Sequence, residues 1–242
     1  LVHLLGTGRQ TLSGSNTWSG ALLVSGDTRA RFTRPEASGV QTNRIGEVNQ
    51  NKSCIELTGG QTLTNVIQIV PRAYRVTDAT IPNSAPHFVN ISGNNVLNPP
   101  YNIAIPGGGN LLSFQSDSGN LLFTAGVDLT VGGTPRYVLL QGEGNGEIHG
   151  AMTEALTNGT LSVHKVGSGT WTLSGSSPLR GPTVVSNGTL VVNGSLTEVT
   201  NVVDVFGGAL AGNGTIAGPV LVASGATFAP GAGLGTLTIN NT

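Results

Sequence analysis

Charge is what this 242-residue chain has least of. Charged residues make up 10% of it, against about 25% in an ordinary soluble domain. Eleven Lys and Arg face twelve Asp and Glu, a net charge of −1. That is too weak a field to draw in nucleic acid or anionic lipid. A single cysteine, Cys54, excludes a disulfide within the chain. Aromatic residues are 5% of the total, two Trp, three Tyr and six Phe, too few for the exposed row a glycan-binding adhesin uses. No apolar run reaches the roughly 18 residues of a membrane-spanning helix. No segment carries an apolar 3.6-residue stripe free of Gly or β-branched runs, which argues against helices. The first residue is Leu1, with neither Met nor a signal peptide ahead of it, so a processed polypeptide is expected.

What is abundant is Gly, at 37 residues, among Thr, Ser, Asn, Val and Leu. Plentiful Val, Leu and Ile exclude charge-driven disorder, and the absence of a three-residue Gly period excludes collagen. The nine residues "GSGTWTLSG" (Gly167–Gly175) have a near copy 161 positions earlier, "GTGRQTLSG" (Gly6–Gly14). Laid without a gap, Val2–Thr28 and Val163–Thr189 are identical at 13 of 27 positions. Shorter echoes follow, among them Gly188-Thr-Leu-Val-Val, Gly214-Thr-Ile and Gly235-Thr-Leu-Thr-Ile. Each is a Gly, a small residue and then period-two alternation, the pattern of a half-buried strand. Asn-Gly pairs such as Asn187-Gly188 accept the backbone conformation of a corner. A sandwich would join its strands by antiparallel hairpins, whereas a solenoid stacks like on like. Recurring sentences favour the solenoid.

At these residues the chain resembles the autotransporter-associated β-strand repeat of secreted bacterial passenger proteins. The first copy continues with Asn16-Thr-Trp-Ser-Gly20, as that repeat does. The second departs there with Ser177-Pro-Leu-Arg-Gly181 and recovers at Val184-Val-Ser-Asn-Gly-Thr-Leu190. The end, Phe228-Ala-Pro-Gly-Ala-Gly-Leu-Gly-Thr-Leu237, is similar to the element that closes such arrays. The resemblance implies an all-β, right-handed parallel β-helix or β-solenoid. About ten coils of roughly 20–25 residues at about 4.8 Å each give a rod near 50 Å long. A single domain over 1–242 is expected, with a less regular excursion at about 29–53. Its core is expected from Leu12, Leu23, Leu63, Ile67, Ile69, Leu121, Phe123, Leu173, Val184, Leu190, Val192, Leu210, Val220, Val222 and Leu237.

Catalytic patterns are sparse. The Gly-x-Ser-x-Gly elbow is missing. His3, His87, His149 and His164 show no ligand or triad spacing, and His3 and His164 are repeat equivalents with a structural role expected. Cys54 reads as a small strand residue. Glu143 and Glu147 are the best carboxylate pair for acid/base glycoside chemistry, weighed against a solvated loop; Asp117 and Asp128 stand apart. No metal-ligand spacing and no cofactor motif occurs, and the runs Gly107–Gly109 and Gly142/Gly144/Gly146 read as turns. Arg29, Arg31, Arg34, Arg44 and Lys52 hold five of the eleven basic residues and form a candidate patch for acidic glycans or a neighbouring subunit.

The expected function is that of a non-enzymatic extracellular rod at a bacterial surface, a scaffold or fibre subunit. Solenoid ends need caps, and neither Leu1, Val2, Leu4 and Leu5 nor Leu237 and Ile239 resembles one. Head-to-tail self-association through these ends is therefore expected, or continuation into a longer surface protein. A glycan-binding adhesin and a β-helix polysaccharide lyase or hydrolase are the alternatives. No cofactor, nucleic acid or membrane insertion is expected.

Overall fold

The computed structural model describes residues 1–39, 42–46, 52–70, 86–104, 110–128, 135–154, 159–231 and 235–241. Its strand ladders are parallel and join residues about one coil apart. The chain winds as a three-sided β-solenoid. One coil consists of Leu161–Lys165 on the first face, Thr170–Leu173 on the second and Ser176–Ser177 on the third. Eight such complete coils run from Cys54 to Ile239, rather than about ten. Ahead of them lie two eleven-residue strands, Val2–Leu12 and Leu22–Phe32, paired along their whole length. The second spans two faces: Leu22–Val24 pair with Asn43–Ile45 and Arg29–Phe32 with Cys54–Leu57. The excursion expected at about 29–53 therefore begins inside the rod, and its 3-10 turn at Pro35–Ser38 is the one helical element among the described residues. Residues 40–41 and 47–51 lie outside the described set.

Register gives the coil length directly. First-face partners are 26 residues apart at Phe88↔Phe114 and 25 at Arg136↔Leu161. The spacing falls to 20 at Val163↔Thr183 and 17 at Val203↔Val220. Where the length drops, the third-face ladder is interrupted between Met152–Thr153 and Ser176–Ser177. A side chain bridges the gap, the Met152 amide donating to Ser177 Oγ at 3.0 Å.

The two repeat copies do not occupy the same faces. In the second, Gly167–Gly169 turns the chain between the first and second faces. In the first, Gly6 and Gly8 lie within one continuous strand that passes from the third face to the first. His3 and His164, equivalent in sequence, therefore sit at different places. The motif specifies strand, bend and strand, and the coil decides which side of the rod they fall on.

Alternation decides what enters the core. In Thr170–Leu173 the residues Trp171 and Leu173 are buried while both Thr are partly exposed; Thr189–Val192 buries Leu190 and Val192 likewise. Phe88, Phe114, Phe123 and Trp171 form an aromatic column mid-rod, with centroid distances of 4.7 Å for Phe114–Phe123 and 6.4 Å for Phe123–Trp171. Four expected core residues, Leu12, Val184, Val220 and Val222, are not fully buried. Val184 falls on the outward phase of its strand, beside inward Val185, whereas Leu23 is buried as expected. Val222 is inward in phase but 42% exposed because it belongs to the last coil. Val220 is partly buried there for the same reason.

Stacked corners require glycine. Gly167 has φ +78°, and a Cβ on it would meet the Gly142 carbonyl oxygen of the coil before at 2.6 Å. Gly188 and Gly208 repeat that arrangement at the next two corners. Here φ is positive and the space is already taken by backbone, so a side chain is refused twice over.

Candidate functional site

The outward side of the first face carries the densest charge chemistry. Register places Arg9 beside Arg29 and Arg31 beside Glu56. The Glu56 carboxylate, with no solvent exposure, accepts from three guanidinium groups. Arg9 Nε donates at 2.8 Å, Arg29 Nε at 2.5 Å and Arg31 Nε at 2.7 Å. Burial alone would raise the Glu56 pKa, but the hydrogen bonds from Arg9, Arg31 and Arg29 outweigh it and hold the carboxyl below its ordinary value.

The expected basic patch is thus divided. Arg29 and Arg31 belong to this cluster, Arg34 is exposed at the start of the 3-10 turn, and Arg44 is partly buried in Asn43–Ile45. Lys52 is exposed, and its backbone amide donates to Asp27 Oδ1 at 3.0 Å. Arg9 and Glu56 were not singled out by sequence reasoning. Glu56 meets partners 47, 27 and 25 residues earlier, a relation set by register and not by local spacing.

A second site is an inward lysine. Lys165 occupies the position that Leu140 and Val185 fill in the adjacent coils. Fully buried, its ammonium donates to the carbonyls of Val166 at 2.9 Å, Gly167 at 2.7 Å and Asn187 at 3.1 Å. Burial pushes its pKa down to about 8. The repeat comparison carried a signal for it: the equivalent residue of the first copy is Leu4, so a cation stands where the pattern requires an apolar side chain.

Above Lys165, along the corner between the first and second faces, runs a groove of about 580 Å³ lined by Gln115, Asp117, Gln141, Glu143, Ser168 and Asn187 among others. Gln141 Nε2 donates to Gln115 Oε1 at 3.1 Å, and Gln115 Nε2 to Asp117 Oδ1 at 2.6 Å. The groove gathers Glu143 with Asp117, one coil away. Glu147 instead faces out from the second face, accepting from Ser174 Oγ at 2.7 Å beside His149 Nε2 at 2.8 Å. The carboxylate pair expected at Glu143 and Glu147 does not line one groove. Asp128 accepts from Thr153 Oγ1 at 2.8 Å on the third face.

The remaining candidates are dispersed. His3 Nε2 lies 2.5 Å from Ser25 Oγ, His87 Nδ1 accepts from the Ser113 amide at 3.1 Å, and His164 packs edge-on against Tyr137. Cys54 is buried. Gly142 and Gly146 are structural: Gly142 makes a corner, and Gly146 leaves the space that the Trp171 ring occupies. Gly107–Gly109 lies outside the described residues. Among the described residues no three His, Cys, Asp or Glu side chains gather to hold a metal.

The end coils differ from the middle. Leu1 and Leu5 are 80% and 61% exposed, while Val2 and Leu4 are partly buried against the core. At the other end Leu221, Val222, Phe228 and Ile239 are exposed, and Leu237 is buried.

Comparison with known families finds the passenger-associated-transport-repeat at residues 5–26 and 163–192. These are the two copies described above, seated on a parallel β-solenoid. No curated protein matches the chain, and no solved structure does.

Proposed function

Since the chain carries passenger-associated transport repeats on a parallel β-solenoid, we propose that it is a non-enzymatic structural rod of a secreted bacterial surface protein, whose coils stack end to end on further copies. The solenoid and the repeat support the passenger reading. Stiffness follows from the ladders, since bending the rod means stretching the parallel hydrogen bonds on its convex side.

One observation carries the end-to-end role. The last coil presents the strands Val220–Val222, Thr227–Pro230 and Thr238–Ile239 as unpaired parallel edges, with Leu221, Val222, Phe228 and Ile239 exposed beside them. No charged residue follows Asp204, so no charge guards these edges; Pro230 is the one proline in the three strands. A second copy offers a strand for two of these edges, its Val2–Leu12, which passes from the third face to the first. Such a contact is heterologous and builds a filament.

Lys at both Leu221 and Val222 places two charges on that edge. Sedimentation velocity should show concentration-dependent association for the parent and a single monomeric species for the double variant. Equal association of the two would end the proposal, as would a parent that stays monomeric across the concentration range.

A further inference from the structure

Three arginines on one buried carboxylate are one or two more than the carboxylate needs. Glu56 is the sole carboxylate bonded to Arg9, Arg29 and Arg31 among the described residues, so the group carries two uncompensated positive charges. The cost of that repulsion is set by proximity. Arg9 and Arg29 are directly opposite on adjacent parallel strands, and Arg29 and Arg31 project from the same side of one strand. Strand geometry puts their backbones about 5 Å and about 7 Å apart.

The way the charges are held matters more than their number. Each guanidinium gives its Nε–H to Glu56, and Arg9 adds a weaker Nη2 contact at 3.3 Å. Arg31 keeps both terminal nitrogens for other partners and Arg9 keeps most of its own, while Arg29 also bonds the side chain of its register partner Cys54. The side chains are 47%, 42% and 25% exposed for Arg9, Arg29 and Arg31, while Glu56 beneath them is at 0%. A buried anion therefore fixes three guanidinium groups on side chains that remain a quarter to half exposed. The ordering entropy that a flexible arginine would lose on binding is already spent in folding.

We propose that Arg9, Arg29 and Arg31 form a binding site for a tetrahedral oxyanion, a sulfate or phosphate group carried by a ligand of the rod surface. Terminal guanidinium N–H pairs match the oxygens of such a group, and three converging forks reach three oxygens while leaving the fourth for the ester link. Glu56 is the positioning residue. It gathers the three guanidinium groups around one carboxylate, and it lowers the net charge enough for the empty site to be stable.

The test uses the whole chain with sodium sulfate and sodium phosphate as separate probes, titrated at constant ionic strength against sodium chloride. Calorimetry and the thermal midpoint are both recorded. Saturable binding of at least one probe is expected, with a rising midpoint. Arg9→Gln should weaken that binding at least tenfold, because Arg9 is the most exposed fork and leaves Glu56 two partners and the fold intact. Arg34→Gln, a neighbouring exposed arginine outside the cluster, should stay within twofold of the parent. The tighter of the two probes distinguishes sulfate-bearing from phosphate-bearing ligands. Midpoints that follow ionic strength alone, or equal affinities in the parent and Arg9→Gln, would overturn the assignment. Arg31→Gln, read in the same way, guards against a folding defect peculiar to position 9.

Discussion

Truncating Trp171 to Ala should cost roughly 3–5 kcal/mol of folding stability, the range for a large aromatic removed from a close-packed interior. Trp171 is fully buried and stands in a column with Gly146 before it and Leu190 and Leu210 after it. A Cβ at Gly146 would meet the indole carbons at about 2.6 Å, so the ring fills the space that Gly146 leaves. The ring also touches Phe123, and its Nε1–H donates to the Gln141 carbonyl at 3.2 Å. Ala removes the packing and the indole's hydrogen bond to that carbonyl. The ladder strands on both sides cannot close the gap, because their spacing is fixed by hydrogen bonds to the next coils. Urea denaturation of the two proteins measures the difference. A loss below about 1 kcal/mol would mean that the column is not packed as described.

Neutralising Glu56 should have the second largest effect and a pH signature of its own. In Glu56→Gln three guanidinium groups remain around an amide that cannot balance them. Removing one member of a buried ion pair costs about 3–5 kcal/mol. The arginines here are a quarter to half exposed, and solvent screening reduces that to about 2 kcal/mol at neutral pH. The folded carboxyl is held below its ordinary value, so its contribution is complete above the unfolded carboxylate pKa of about 4.3. That contribution disappears as pH falls through the lower folded value. Stability curves of parent and variant should lie apart at pH 7 and converge in acid. A constant separation at all pH values would place the effect in packing instead of charge.

Both predictions rest on register, and register was the part of the fold least open to sequence reasoning. Parallel stacking was legible because Gly, a small residue and an alternating pair recur, and the copies at Gly6 and Gly167 made the recurrence plain. Core residues such as Phe123, Leu173 and Leu190 followed from period-two alternation. Alternation alone does not say which phase points inward, and so Val184 was assigned to the core when Val185 fills it. It also cannot tell an end coil from a middle one, which is why Val222 is exposed. The excursion at about 29–53 was expected where the resemblance to the repeat is weakest, yet two of the arginines gathered there are ladder residues turned toward Glu56. That carboxylate drew no attention in the sequence because its partners are separated from it by one and two coils. Lys165 was visible as a departure from the repeat, but only the fold shows that its ammonium meets three carbonyls.

The central claim is that separation along the rod counts coils, not residues, and pulsed dipolar spectroscopy measures that directly. A nitroxide at Ser92 would be paired in turn with one at Ser168, Asn187 or Phe206, four exposed positions at the corner between the first and second faces. These partners lie three, four and five coils from Ser92 along the ladder. At about 4.8 Å per coil the backbone separations should be near 14, 19 and 24 Å, rising in equal steps. Equal steps would establish the parallel three-sided rod. Distances that fail to increase with coil number would contradict it, because a sandwich of hairpins returns the chain toward its start.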